Sequence, residues 1–515
     1  MKYVQGLLGS GLRRRTVLTA ALASAALSFA GAPVAAEIAD GEIVIVQPNE
    51  PPNIDPGNHA YSYTGPIIYQ NVIETLNLLD LKTGELSPRL AVSWEKTGDS
   101  TYVYKLREGV TFHDGAPFNA DAVLYSIDRL FNIDVEAMAR NKYWDHMTIS
   151  AKKIDDYTVE VTGSQPEPLF LTRFSQVPIV SPNTPRNELT RTPVGTGPYV
   201  FAEWEPGVRI VLEQNDGYWG EKPEVTKATY VFRGEGSVRA SMVEVGEADF
   251  TFTIPEELAT TELDQAYLNY ETVYFIVGAW KPPFDDIRVR KAVDYAIDRT
   301  SIIGTIMPEE TIPATTLFVP GTAGHDPDLE QTPYDPDMAR QLLAEAKADG
   351  VPVDELVKIM YINNSFPGSN EILEAASLML ADVGFNIQME LVETGVYRGY
   401  RDEPRTDDYP VILLSRHDND KGDAGFSYTR HLCESNRNPV CDEAFDAAIL
   451  DALAESEGPD RDAKWHEVLR MMKEDIVGDV YLGHQVAFAR VGPRIDYEFE
   501  GKGTSYFLLE DVTFK

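Results

Sequence analysis

Eight histidines, two cysteines and 82 carboxylate side chains are the groups with chemistry to offer in this chain of 515 residues. The histidines are His59, His113, His146, His325, His417, His431, His466 and His484, and none forms the close pair that chelates a metal ion. No metal site and no cofactor is expected. No Gly-x-Ser-x-Gly elbow and no His-Glu-x-x-His is present, so a hydrolase would have to rest on a paired acid site. Gly195-Thr196-Gly197 could cradle an anion, but it lacks the lysine and the spacing of a phosphate loop and reads as a structural turn.

The charge balance narrows the classes further. With 82 acids against 45 bases the net charge is -37. That excludes a phosphate-backbone binder, which needs concentrated positive charge, and argues against docking on anionic lipid. The acidity itself reads as a well-solvated surface. At this length two or three domains are expected.

Residues 1–36 are expected to be a secretory signal, with Lys2, Arg13, Arg14 and Arg15 ahead of an apolar stretch and small residues Val34 and Ala36 before the cut. Arg14-Arg15-Thr16-Val17-Leu18 resembles a twin-arginine export motif. The mature chain then carries 41 bases against 82 acids, a net charge of -41. No later run of 18 apolar residues exists to span a membrane. In an exported chain Cys433 and Cys441, eight apart, are expected to join as a clip on a short loop.

The elements that must position any site are legible in outline. Glu42–Gln47, Thr101–Leu106 and Val208–Leu212 read as strands. Asn119 is placed to cap a helix burying Ala122, Val123, Ser126, Ile127 and Leu130. Tyr61, Tyr63 and Tyr69 flank a helix expected near Pro66. In the middle of the chain an apolar strand, Glu271–Trp280, leads into a helix capped by Asp285 or Asp286, with Val289, Ala292, Val293, Ala296 and Ile297 on one face. Beyond it strands alternate with helices: Asp335 and Pro336 open one helix, Gly384 closes another, and Pro410–Ser415 is an apolar strand. This order implies an α/β lobe with a largely parallel sheet.

Several segments taken in order carry a resemblance. They are Leu86-Ser87-Pro88-Arg89-Leu90-Ala91, Phe112-His113-Asp114-Gly115, Gly195 to Tyr199, Asn215 with Tyr218-Trp219, Pro283-Phe284-Asp285-Asp286 through Arg290, and Tyr334-Asp335-Pro336. The chain resembles the family 5 extracellular solute-binding proteins of ABC importers, which include dipeptide, oligopeptide and nickel-binding proteins. The resemblance implies an α/β, two-lobed periplasmic binding protein fold (type II, of the large cluster C kind) with an extra subdomain in lobe I. Lobe I would span 37–275 and return over 485–515, with the subdomain inserted at about 66–190. Lobe II would span 276–484. A monomer that captures a peptide or peptide-like solute between its lobes and hands it to a membrane permease is implied, with an oligosaccharide or other polar metabolite, or an exported hydrolase, as alternatives.

The resemblance also implies a site. Peptide binders of the family hold the substrate ammonium with an aspartate just after a lobe II strand. Asp418 is the positional match, with Asp420 and Asp423 as neighbours. The usual tryptophan and proline are missing there, and Arg416 and His417 stand in their place, favouring a ligand with a carboxylate or many hydroxyls. Trp280, near the expected hinge, would offer a flat face to the ligand, and Tyr61 and Tyr63 would line the lobe I wall.

Overall fold

The computed structural model describes residues 38–515 except 62, 81–83, 132–136, 145–146, 364, 403–410, 419–421, 456–457 and 500–506. The expected leader over 1–36 and the candidate Asp420 lie outside the described residues.

Three hydrophobic cores organise the body. The first collects Ile43, Ile45, Tyr199, Tyr230, Phe250 and, from the end of the chain, Phe507 and Leu509. The second lies between Ala60 and Ile179. The third runs from Val273 to Leu482 and takes in one residue from far upstream, Leu169. The second core is covered by a four-stranded antiparallel sheet of β2 (Ala91–Gly98), β3 (Thr101–Leu106), β4 (Ile149–Asp155) and β5 (Thr158–Gly163), in the order β2-β3-β5-β4. Helix α1 (Ala120–Phe131) packs here, with Asn119 accepting from the amides of Asp121 and Ala122 and the predicted apolar face buried. Helix α2 (Met138–Tyr143) follows.

Among the described residues an 11-stranded sheet joins the other two cores. Its strands are β1 (Glu42–Gln47), β6 (Tyr199–Glu205), β7 (Arg209–Gln214), β8 (Lys227–Phe232), β9 (Phe250–Ile254), β10 (Asp264–Val277), β11 (Leu356–Ile362), β12 (Asn386–Val392), β13 (Ile412–Asp418) and β14 (Asp479–Val491). They lie in the order β12-β11-β13-β10-β14-β9-β1-β8-β7-β6, with Ile312–Pro313 beside β14. The long strands β10 and β14 pair antiparallel over Asp264–Leu268 and again over Thr272–Ile276, and so belong to both halves.

The strand directions locate a crevice. In one half β1, β8 and β9 run parallel to β10; in the other β11, β12 and β13 run parallel to β14. The carboxyl ends of both sets therefore face each other across the crossing ribbon, where open α/β sheets bind ligands. The ribbon is irregular at that level. Its register slips between Leu268 and Thr272, and Tyr270 adopts φ 62. The slip lies several residues before the boundary expected at 275–276.

Local expectations hold where caps are strong. Asp286 caps α3 (Ile287–Ala296), Asp335 caps α4 (Pro336–Ala348), and Gly384 closes α5 (Ser369–Val383) at φ 116. The helix expected near Pro66 shrinks to one turn, Gly65–Ile68. The reason is tertiary. Gly197 N donates to Val72 O and Tyr199 N to Asn71 O, pinning residues 71–72 against the Gly-Thr-Gly turn. A Cβ on Gly195 would sit 1.9 Å from Val72 O, so this approach requires glycine.

That turn is part of a buried hub. Glu74 is fully buried, and burial raises its pKa against the opposing pull of Arg89 and its hydrogen bonds. Its carboxylate accepts from Arg89 (2.6 Å), Thr196 (2.8 Å), Tyr218 (3.0 Å) and Trp219 (2.8 Å). Arg89 also meets Glu510 at 3.0 Å, and the Arg107 guanidinium lies 4.1 Å from the Trp219 ring centroid. Three of the motifs that carry the family resemblance thus converge on one carboxylate and knit the first half of the chain to its end.

Candidate functional site

The crevice is lined by charge from both sides. At the end of β13, Arg416 and Asp418 point to the same face because strand side chains alternate. Asp418 pairs in register with Glu271 of β10, within the segment where the β10–β14 register slips. Arg416 Nη1 meets Glu271 Oε2 at 2.7 Å, and its guanidinium lies 5.1 Å from the Phe366 ring centroid. From the opposite side, α2 sends Lys142 Nζ to within 2.8 Å of Asp418 Oδ2. The Lys142 and Asp418 side chains are 27% and 36% exposed, so this pair lies at the crevice edge. Glu271 is half-buried, and desolvation, reinforced by the Asp418 charge, outweighs Arg416 and raises its carboxyl pKa.

Closure is visible in apolar contacts as well. Leu169 sits in the third core, where a Cβ on Gly425 would fall 2.8 Å from its Cδ1. The Arg173 guanidinium lies 4.6 Å from the Phe426 ring centroid.

The structure sorts the candidates. Arg416 and Asp418 come together, and Glu271 and Lys142 join them. Sequence reading missed both. Glu271 lay within a segment recognised only as strand, and the register that sets it opposite Asp418 depends on the bulge. Lys142 is 276 residues away along the chain. His417 points the other way. Its Nε2 lies 2.9 Å from Ser427 Oγ and its Nδ1 3.2 Å from Arg430, and loss of hydration with the nearby Arg430 charge pushes its pKa well below the ordinary value. In this structure its ring nitrogens are taken up by these two neighbours. Asp423 is also committed. It caps Gly425 N at 2.7 Å and takes a two-pronged pair from Arg461 at 2.8 and 3.0 Å.

Trp280 is not at this end. It lies beyond Val277, while Asp418 pairs at Glu271, about 20 Å along the strand at 3.3 Å per residue. Its ring packs on Gly278, where a Cβ would fall 1.9 Å away. Tyr61 and Tyr63 come after β1 in the chain, and Tyr63 lies beside its carboxyl end. Gln47 Nε2 donates to Tyr63 O at 3.4 Å, and Tyr63 is 36% exposed. Cys433 and Cys441 form the expected disulfide. Among the described residues no group of three or more His, Cys, Asp and Glu is set to hold a metal ion, and no helix is long and apolar enough to cross a membrane.

Two lobes joined by a continuous ribbon, with a charged crevice where their strand ends meet, define a two-lobed α/β binding protein. The family model for bacterial extracellular solute-binding proteins, family 5, matches residues 85–438, and the chain belongs to that family. It is 27% identical to Di/tripeptide-binding protein 2 of Pseudomonas aeruginosa over 83% of this chain and 86% of that one. It is 25% identical to the dipeptide-binding protein of Escherichia coli, over 93% and 96%. The glutathione-binding protein GsiB of Escherichia coli is 31% identical over 61% of this chain and 62% of its own. The fold matches DppA from Helicobacter pylori in complex with the peptide STSA, with a TM-score of 0.73 and 22% identity over 92% and 98% of the two chains. It also matches NikA from Brucella suis in complex with Fe(III)-EDTA, with a TM-score of 0.77 and 24% identity over 92% and 100%.

Proposed function

We propose that this protein is the exported, periplasmic binding component of an ABC importer. It encloses a peptide or peptide-like solute between its lobes and delivers it to the membrane permease, without chemical turnover and as a monomer. The observation that carries the reading is Asp418, a carboxylate at a strand end in the crevice, already engaged by an ammonium from the facing side. A ligand ammonium can take the same charge-assisted contact. Relatives named as dipeptide and di/tripeptide binders, similar over most of the chain, support the substrate class.

The three cores support the division into lobe I (37–275 and 485–515), its insert at about 66–190 and lobe II (276–484), with the hinge drawn to the register slip at 268–272. Tyr61 and Tyr63 form the lobe I wall in this reading. Opening and closing would be a population shift about the ribbon. The test is native mass spectrometry of the mature protein, with denaturing release and identification of what it carries. A released peptide or amine-bearing conjugate, lost in Asp418→Ala, is expected. A released sugar or an amine-free acid overturns the peptide assignment.

A further inference from the structure

The short helix Phe170–Phe174, with the residue before it, holds on to two cores at once. Phe170 and Phe174 stand four apart, so they share one helix face, and both are buried in the second core. The Phe170 ring stacks on Tyr102 of β3 with centroids 5.3 Å apart, and Phe174 lies 5.2 Å from Tyr104 of the same strand. Leu169 and Arg173 are also four apart and occupy the next face, about 100° round the helix. This second face meets lobe II. Leu169 is buried in the third core, and the Arg173 guanidinium lies over the Phe426 ring. Glu167 orients both: its Oε1 accepts from Leu169 N at 2.9 Å and its Oε2 meets Arg173 Nε at 3.2 Å. The receiving side is shaped to match. Gly425 lies in the helix Ala424–Tyr428, and a Cβ there would fall 2.8 Å from Leu169 Cδ1 and 2.6 Å from Leu453 Cδ2. The missing side chain leaves the space that Leu169 fills.

We propose that Leu169 is a latch: a positioning residue of lobe I that docks beside Gly425 and Leu453 of lobe II, favours the closed form without help from a ligand, and so raises affinity for every ligand by the same factor. The proposal rests on the reading of this protein as a capture protein whose lobes open and close about the ribbon. Parting the lobes takes Leu169 out of an apolar core into water, while Phe170 and Phe174 stay in theirs. The closed form therefore carries an apolar contact that the open form lacks. Apparent affinity scales with the fraction of protein already in the competent form, so a residue that shifts that fraction acts on binding from a distance. Asp418 and Leu169 then divide the work. The carboxylate discriminates among ligands by their charge, and the leucine sets how readily the lobes close on any of them.

The experiment is small-angle X-ray scattering of the mature protein, freed of ligand by unfolding and refolding, with calorimetric titration of the dipeptides Ala-Ala and Ala-Phe. Ligand-free Leu169→Ala is expected to have a larger radius of gyration than ligand-free wild type, and a saturating dipeptide should bring the two together. Leu169→Ala should weaken both dipeptides by one common factor of about ten. Leu169→Met, which refills the space, should keep the wild-type radius and affinities. Gly425→Ala approaches the same contact from lobe II: it should expand the ligand-free protein as Leu169→Ala does, and do so less when Leu169 is already alanine. Equal radii for ligand-free wild type and Leu169→Ala overturn the latch. So does a loss of affinity confined to one dipeptide, which would make Leu169 a ligand contact. If the wild type binds neither dipeptide, the peptide reading is what fails, and the ligand-free radii still decide the latch. Thermal melting of each variant confirms that it is folded.

Discussion

Glu74 and Asp418 each meet a cation of the same chain, and their surroundings give the two carboxylates opposite roles. Glu74 has no exposed surface and accepts from a guanidinium, a threonine hydroxyl, a phenol and an indole. No lone pair is left for a visitor. Asp418 keeps about a third of its surface in water and meets a lysine from the other side of the crevice. In the opening proposed for the lobes, that contact breaks. Burial and donor count, rather than the presence of a salt bridge, separate a carboxylate that holds the fold from one that can bind.

The comparison can be broken most forcefully at Glu74. Glu74→Ala leaves Arg89 buried without its nearest carboxylate, and a loss of about 3–5 kcal/mol is expected. Calorimetric melting should show it as a large drop in the transition temperature, with ligand selectivity unchanged in whatever folded protein remains. A melting temperature close to wild type would mean that the hub is dispensable. The disulfide supplies a control outside both clusters. Replacing Cys433 and Cys441 by serine should cost about 2–3 kcal/mol for so short a loop, read by urea titration, and leave the ligand preference intact.

Asp418→Asn should do the reverse of Glu74→Ala. Affinity for an amine-bearing ligand should fall by about 1.5–3 kcal/mol in calorimetry, while stability shifts by under about 0.5 kcal/mol. A variant that melts much lower and binds equally well would erase the distinction between the two carboxylates.

The smallest effect concerns Glu271. Its folded pKa is raised above the ordinary value of 4.5, so the native state holds that proton more tightly than the unfolded chain does. Its contribution to stability is therefore complete below about 4.5 and is lost as pH rises through the raised value. Glu271→Gln should flatten that segment of the stability–pH curve by under about 1 kcal/mol, because the group is partly solvated. An unchanged slope would show that Arg416 fully offsets the desolvation.

Much of the frame could be read from the chain because its signals are local. Asn119, Asp286 and Asp335 cap the helices they were expected to cap, and the face of α1 repeats at helical spacing. The family motifs pointed to the right fold, yet nothing in their spacing revealed that Arg89, Thr196, Tyr218 and Trp219 share one acceptor, since Glu74 lies outside every motif. The crevice was harder still. Asp418 and Arg416 sit at a strand end and could be named, but the alternation that turns His417 away needs the strand phase, and Glu271 becomes their neighbour through an antiparallel register. Trp280 looked close to the hinge because the crossing was placed near 275; the slip at 268–272 puts the tryptophan at the far end of the ribbon.

Both cysteines are consumed by the Cys433–Cys441 bridge, and that has a practical consequence. The protein offers no free thiol to a labelling reagent. One engineered cysteine would therefore carry a dye at a single, chosen place. Put on the exposed side of α2, near Lys142, the dye would ride on one wall of the crevice and sense the approach of β13. The chain would then report its own occupancy as a change in light, before any ligand had been identified by chemistry.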